Sequence, residues 1–105
     1  MDDPIVQRFL QRCHDMGSKI LAVYVFGSRA KGTARPDSDY DFLLVVSEAF
    51  SLSDKDSLYD TVMDLLLETG RLVSLKLFRE REFRRLCDLG TPFMTHVLRE
   101  SIKVG

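Results

Sequence analysis

The sequence predicts an α/β (α+β) fold, a small mixed sheet with helices mainly on one face. Three observations predict it. The chain opens on a helical repeat, continues through two apolar stretches separated by a polar loop, and then carries an amphipathic segment ahead of a third, alternating stretch. The predicted order is α, β, β, α, β, α, α. At 105 residues the expectation is one domain over 1–105, because two cores would each be too small to bury enough surface.

Asp3 followed by Pro4 reads as an N-cap with proline at the first helical position. Ile5, Val6, Phe9, Leu10 and Cys13 recur at helical spacing up to Gly17, which predicts a helix over about 4–16. Residues 20–26 are continuously apolar and rich in β-branched and aromatic side chains, the pattern of a strand buried on both faces. The polar run 27–38, with two glycines and a proline, predicts a loop with at most one short helical turn. Residues 40–46 predict a second strand. Ser53 and Asp56 then form a capping-box pattern, opening a helix through Leu58, Val62, Leu65 and Leu66 that Gly70 ends. Over 72–78, Val73, Leu75 and Leu77 alternate with Ser74 and Lys76, a third strand with one more polar face. Two short helices are expected near 80–89 and 92–102.

The composition, 45% hydrophobic and 30% charged with a net charge of −1, belongs to a soluble globular chain. It lacks the global basic field of non-specific nucleic-acid binders, so no direct nucleic-acid binding is expected. The face formed by Arg81, Arg84 and Arg85 reads either as a solvated, salt-bridged surface or as a local patch for a partner or a nucleic acid. Cys13 and Cys87 are isolated and read as free thiols of a reducing compartment, which with the acidic start and the lack of a long apolar run predicts a cytoplasmic protein with no membrane role. His14 and His96 have no neighbours at zinc-ligand spacing.

The chemistry is concentrated between Gly27 and Val46. Asp39 and Asp41 are separated by one residue at the mouth of a strand, so their side chains point to one face about 6.6 Å apart along the backbone, with Leu43 and Val45 following on that face. Two carboxylates held this way can converge on one metal or share a pair, and oxygen ligands suit magnesium. Upstream, Gly27 and Ser28 leave the first strand in a turn whose N–H groups and hydroxyl suit a triphosphate. Arg29 and Lys31 are either added charge near the phosphates or solvated loop cations.

Gly27, Ser28, ten intervening residues, Asp39, one residue and Asp41 resemble the motif of the polymerase-beta nucleotidyltransferase superfamily, and the chain length resembles its minimal members, the MNT proteins. The resemblance implies a nucleotidyltransferase fold, ATP as substrate with Mg2+, Asp39 and Asp41 as catalytic and metal-binding residues, and Gly27, Ser28, Arg29 and Lys31 at the nucleotide. It further implies an antitoxin paired with a helical HEPN-domain toxin, whose tyrosine hydroxyl receives AMP. The superfamily usually adds a third carboxylate from a later strand. Here the candidates for that third position are Ser74 and Lys76, with no acid between them, and Glu68 and Glu80 flank the strand.

Three functions follow. The chain moves AMP from ATP to a hydroxyl of a partner protein, or it is a weak or inactive nucleotide-binding antitoxin acting by contact, or it is the core of a small-molecule (antibiotic) nucleotidyltransferase. The last is least favoured because such relatives carry a further substrate domain. Pro92, Phe93, Met94, Val97 and Leu98 either complete the core or offer a surface to a partner helix. Self-association as a homo-oligomer is left open.

Overall fold

A computed structural model describes residues 3–27, 30, 32 and 39–105. Helix α1 spans Pro4–Asp15, strand β1 Ile20–Phe26, strand β2 Tyr40–Val46, helix α2 Leu52–Thr69 and strand β3 Val73–Arg79. Helix α3 spans Glu80–Leu89, helix α4 Pro92–Glu100, and strand β4 is the dipeptide Ile102–Lys103. The sheet order is β3-β2-β1-β4. The pair β1·β2 is antiparallel, β2·β3 parallel and β1·β4 antiparallel, so the sheet is mixed as expected.

Strand alternation sorts side chains between two faces. Tyr40, Phe42, Leu44 and Val46 of β2 join Val23 and Val25 of β1 against Val6, Phe9 and Cys13 of α1 and Leu58, Val62 and Leu65 of α2. This is the main core, and the Phe9 and Phe42 rings meet in it with centroids 4.5 Å apart. The opposite face carries a smaller cluster in which Ala22, Leu43 and Val45 meet Val97 of α4 and Phe83 of α3. The larger share of helix packing therefore lies on one face, and α3 and α4 cover part of the other.

Asp3 caps α1, its Oδ1 accepting from the N–H groups of Ile5 at 2.8 Å and Val6 at 3.4 Å. Three sequence expectations need correction. The capping box of α2 is Ser51 with Asp54, two residues earlier than Ser53 with Asp56: Ser51 Oγ accepts from Asp54 N at 3.2 Å, and Asp54 Oδ2 accepts from Ser51 N at 2.8 Å. The sequence Ser51-Leu52-Ser53-Asp54-Lys55-Asp56 contains the pattern twice, and the first copy also pairs Asp54 with Lys19 at 3.1 Å. The last helix stops at Glu100, after which Ile102 and Lys103 pair with Val25 and Tyr24. The third strand is displaced by one residue, to 73–79.

Candidate functional site

Strand β1 delivers the chain to Gly27 at its end, and β2 begins beside it because Phe26 registers with Asp41. Gly27 has φ +74°, a conformation that L side chains rarely adopt. A Cβ there would also lie 2.7 Å from Asp41 Oδ2 and 3.5 Å from its Cγ. Both backbone conformation and close approach therefore require glycine, and Asp41 rests directly against the turn.

Asp41, Leu43 and Val45 share the sheet face opposite the main core. Across the parallel pair, Asp41 registers with Ser74 and Leu43 with Lys76, so Ser74 and Lys76 stand on the same face as Asp41. Asp39 is exposed, immediately before the strand, while Asp41 is half-buried. Burial pushes the Asp41 carboxyl above its ordinary value, the Asp39 charge adds to the rise, and Lys76 opposes it.

The intervening Tyr40 anchors the two aspartates from the other side. It is 3% exposed, its hydroxyl donates to Asp3 Oδ2 at the head of α1, and its N–H donates to Leu72 O at 2.9 Å. These bonds hold the mouth of β2 to both α1 and β3 and so fix which face Asp41 occupies. The sequence reading missed this role. The signal was an aromatic residue with a polar tip placed between two carboxylates.

The structure thus brings together Gly27, Asp41, Ser74 and Lys76, with Asp39 close enough to act on Asp41. Ser28, Arg29 and Lys31, the remaining expected nucleotide-binding residues, lie outside the described residues, as does most of the loop 27–38. Among the described residues, no group of three or more His, Cys, Asp or Glu side chains gathers into a metal cage. Two carboxylates beside a glycine turn, one of them raised by burial and by its neighbour, nevertheless fit one hard divalent cation. Arg81, Arg84 and Arg85 line a groove on α3 with Glu48, Glu80 and Asp88, apart from these residues, and Arg84 pairs with Glu80 at 3.5 Å. Of the C-terminal apolar residues, Met94 and Val97 are buried in the fold, while Phe93 and Leu98 remain exposed. No described helix is long and apolar enough to cross a membrane.

Solved structures share the fold. A candidate nucleotidyltransferase from Sulfolobus solfataricus is 21% identical with a TM-score of 0.55, the alignment covering 77% of this chain and 69% of that one. A toxin-antitoxin solved with AMP-PNP is 19% identical with a TM-score of 0.50, covering 73% of this chain, which spans only 57% of that one's length. A mutant of the toxin-antitoxin MntA-HpeT is 20% identical with a TM-score of 0.47, covering 71% of this chain and 56% of that one. At these identities the first two likenesses show a common fold. No curated protein sequence matches significantly. The family model for polymerase beta nucleotidyltransferases matches residues 9–104, from α1 through β4 and across every site residue described above. The chain belongs to the polymerase beta nucleotidyltransferase family.

Proposed function

We propose that this chain is an antitoxin that transfers AMP from ATP to a hydroxyl group on its partner toxin. The observation that carries the reading is Asp41 lodged against Gly27 with Asp39 beside it. That places two carboxylates at the turn where a triphosphate would enter. The family supplies the reaction type. A toxin-antitoxin with the same fold was solved with AMP-PNP, which supports an adenine nucleotide and a toxin partner. The MNT resemblance supports a HEPN-domain helical protein as that partner, a tyrosine as the acceptor and the cytoplasm as the place of action. One domain over 1–105 is part of the same proposal.

In the transfer, the acceptor oxygen attacks the α-phosphorus, the bond to the pyrophosphate oxygen breaks, and pyrophosphate leaves as the hydroxyl proton is lost. When bound, magnesium would supply charge neutralisation on the phosphates. Asp39 and Asp41 would hold it. Gly27 and Ser28 would present backbone N–H groups and a hydroxyl to the triphosphate, with Arg29 and Lys31 adding charge. Tyr40 keeps the two carboxylates on one face.

The test is incubation of the chain with its genomically adjacent helical partner, ATP and Mg2+, followed by mass spectrometry of the partner. Added AMP that disappears with Asp39→Asn supports the transferase. A second reading is favoured by Ser74, a neutral side chain in register with Asp41 on the strand from which the family resemblance implies a third carboxylate: a nucleotide-binding antitoxin that acts by contact. Complex formation without added mass selects it. Failure of both reactions refutes the antitoxin reading.

A further inference from the structure

We infer that this site takes one divalent cation where two-metal transferases take two, and that the Lys76 ammonium stands in for the missing second charge. The inference rests on the proposed reading of Asp39 and Asp41 as metal ligands and deepens it.

Paired divalent ions sit about 3.5–4 Å apart in two-metal sites and need carboxylates enough to hold both. Magnesium gives up its water reluctantly and is commonly held by one or two carboxylates together with substrate phosphates. Two carboxylates therefore suffice for one ion. On the face that Asp41 shares, the adjoining strand contributes a neutral hydroxyl at Ser74, in direct register with Asp41, and then a cation at Lys76, in register with Leu43. Among the described residues neither adds an anionic ligand. Of the acids that flank the strand, Glu68 pairs with Arg8 at 2.7 Å and Glu80 pairs with Arg84 at 3.5 Å, so both are engaged elsewhere.

The formal charges support the exchange. Three carboxylates with two divalent cations sum to a single positive charge, and two carboxylates with one divalent cation and one lysine sum to the same value. Lys76 is exposed, makes no ion pair with a described carboxylate, and stands on the face of Asp41, in register with Leu43 two residues further along the strand. An ammonium on a flexible stem is a point charge that can follow a triphosphate, and it needs no ligand cage. The strand face that would have helped bind a second metal thus carries a positive charge in place of a third acid.

The experiment counts ions. Mn2+ binding to the whole chain is measured by electron paramagnetic resonance with the non-hydrolysable analogue AMP-CPP at saturation, alongside calorimetry of AMP-CPP binding. The expected result is one Mn2+ per chain, rising to two in Ser74→Asp. Lys76→Met should weaken AMP-CPP by about 10- to 100-fold, as loss of a charge-assisted contact does, while Mn2+ binding without nucleotide stays equal or tightens. Circular dichroism checks that both variants fold. Two ions in the unmodified chain would overturn the inference and leave the Asp39 and Asp41 reading intact. One ion in Ser74→Asp, or unchanged nucleotide affinity in Lys76→Met, also overturns it. No ion lost in an Asp39→Asn and Asp41→Asn double variant overturns the site reading itself.

Discussion

Gly27→Ala separates backbone strain from damage to the site. Gly27 has φ +74°, and Gly70, the C-cap of α2, has nearly the same φ at +71°. Alanine in this region costs about 1–2 kcal/mol at either position. For a chain of this size that corresponds to a fall in Tm of about 5–15 °C. The surroundings differ: a Cβ at 70 meets nothing within 4 Å, whereas one at 27 meets Asp41 Oδ2 at 2.7 Å, against an ordinary contact of 3.4 Å or more. The carboxylate must therefore retreat by 3.4 − 2.7 = 0.7 Å or rotate away. Displacing a metal-binding group on this scale should weaken Mn2+ binding by about 10- to 100-fold. Urea melts and Mn2+ titrations of Gly27→Ala and Gly70→Ala should then show similar stability losses with ion affinity lost only in the first. Equal ion affinity in the two variants would refute the coupling of Gly27 to Asp41.

Two further outcomes follow from the titratable groups. Cys13 is 3% exposed and burial pushes its thiol up to about 12, whereas Cys87 is half-buried with a smaller rise caused by burial and then by Asp88. A thiol reagent should consume one equivalent in the native protein and the second only on unfolding, and prompt reaction of both would contradict the packing of α1. The Asp54 carboxyl is held below its ordinary value, first by the Ser51 N–H and then by Lys19. Because its folded pKa is depressed, its contribution is present above the ordinary carboxylate value of about 4 and is lost as pH falls through the lower, folded value. The urea midpoints of the parent and Asp54→Asn should therefore converge as pH falls below about 4, and a gap independent of pH would remove the electrostatic explanation.

The elements that could be read from sequence are those whose side chains carry the structural decision. The apolar run 42–46 behind Asp41, buried at every position, marks a strand covered on both faces, and the alternation of Val73, Leu75 and Leu77 with Ser74 and Lys76 separates core from site before any register is known. What was illegible depends on pairing. The dipeptide Ile102–Lys103 is a strand only because β1 offers it backbone partners. The choice between two overlapping capping boxes falls to the one that also meets Lys19. At the site, two carboxylates and a glycine turn were visible, but their approach was not, because it arises from the register of Phe26 with Asp41. The placement of Ser74 opposite Asp41 likewise needs the β2·β3 register.

Asp3 uses one carboxylate oxygen to cap α1 and the other to accept from Tyr40, a residue 37 positions away. Closing a loop of that length must precede any reward from the contact, so the bond belongs late in folding. The same closure positions the two carboxylates that flank Tyr40. Cation binding should consequently report completion of the fold: a folding intermediate with its helices formed but α1 undocked would be blind to Mn2+, and affinity would emerge together with protection of the Tyr40 amide.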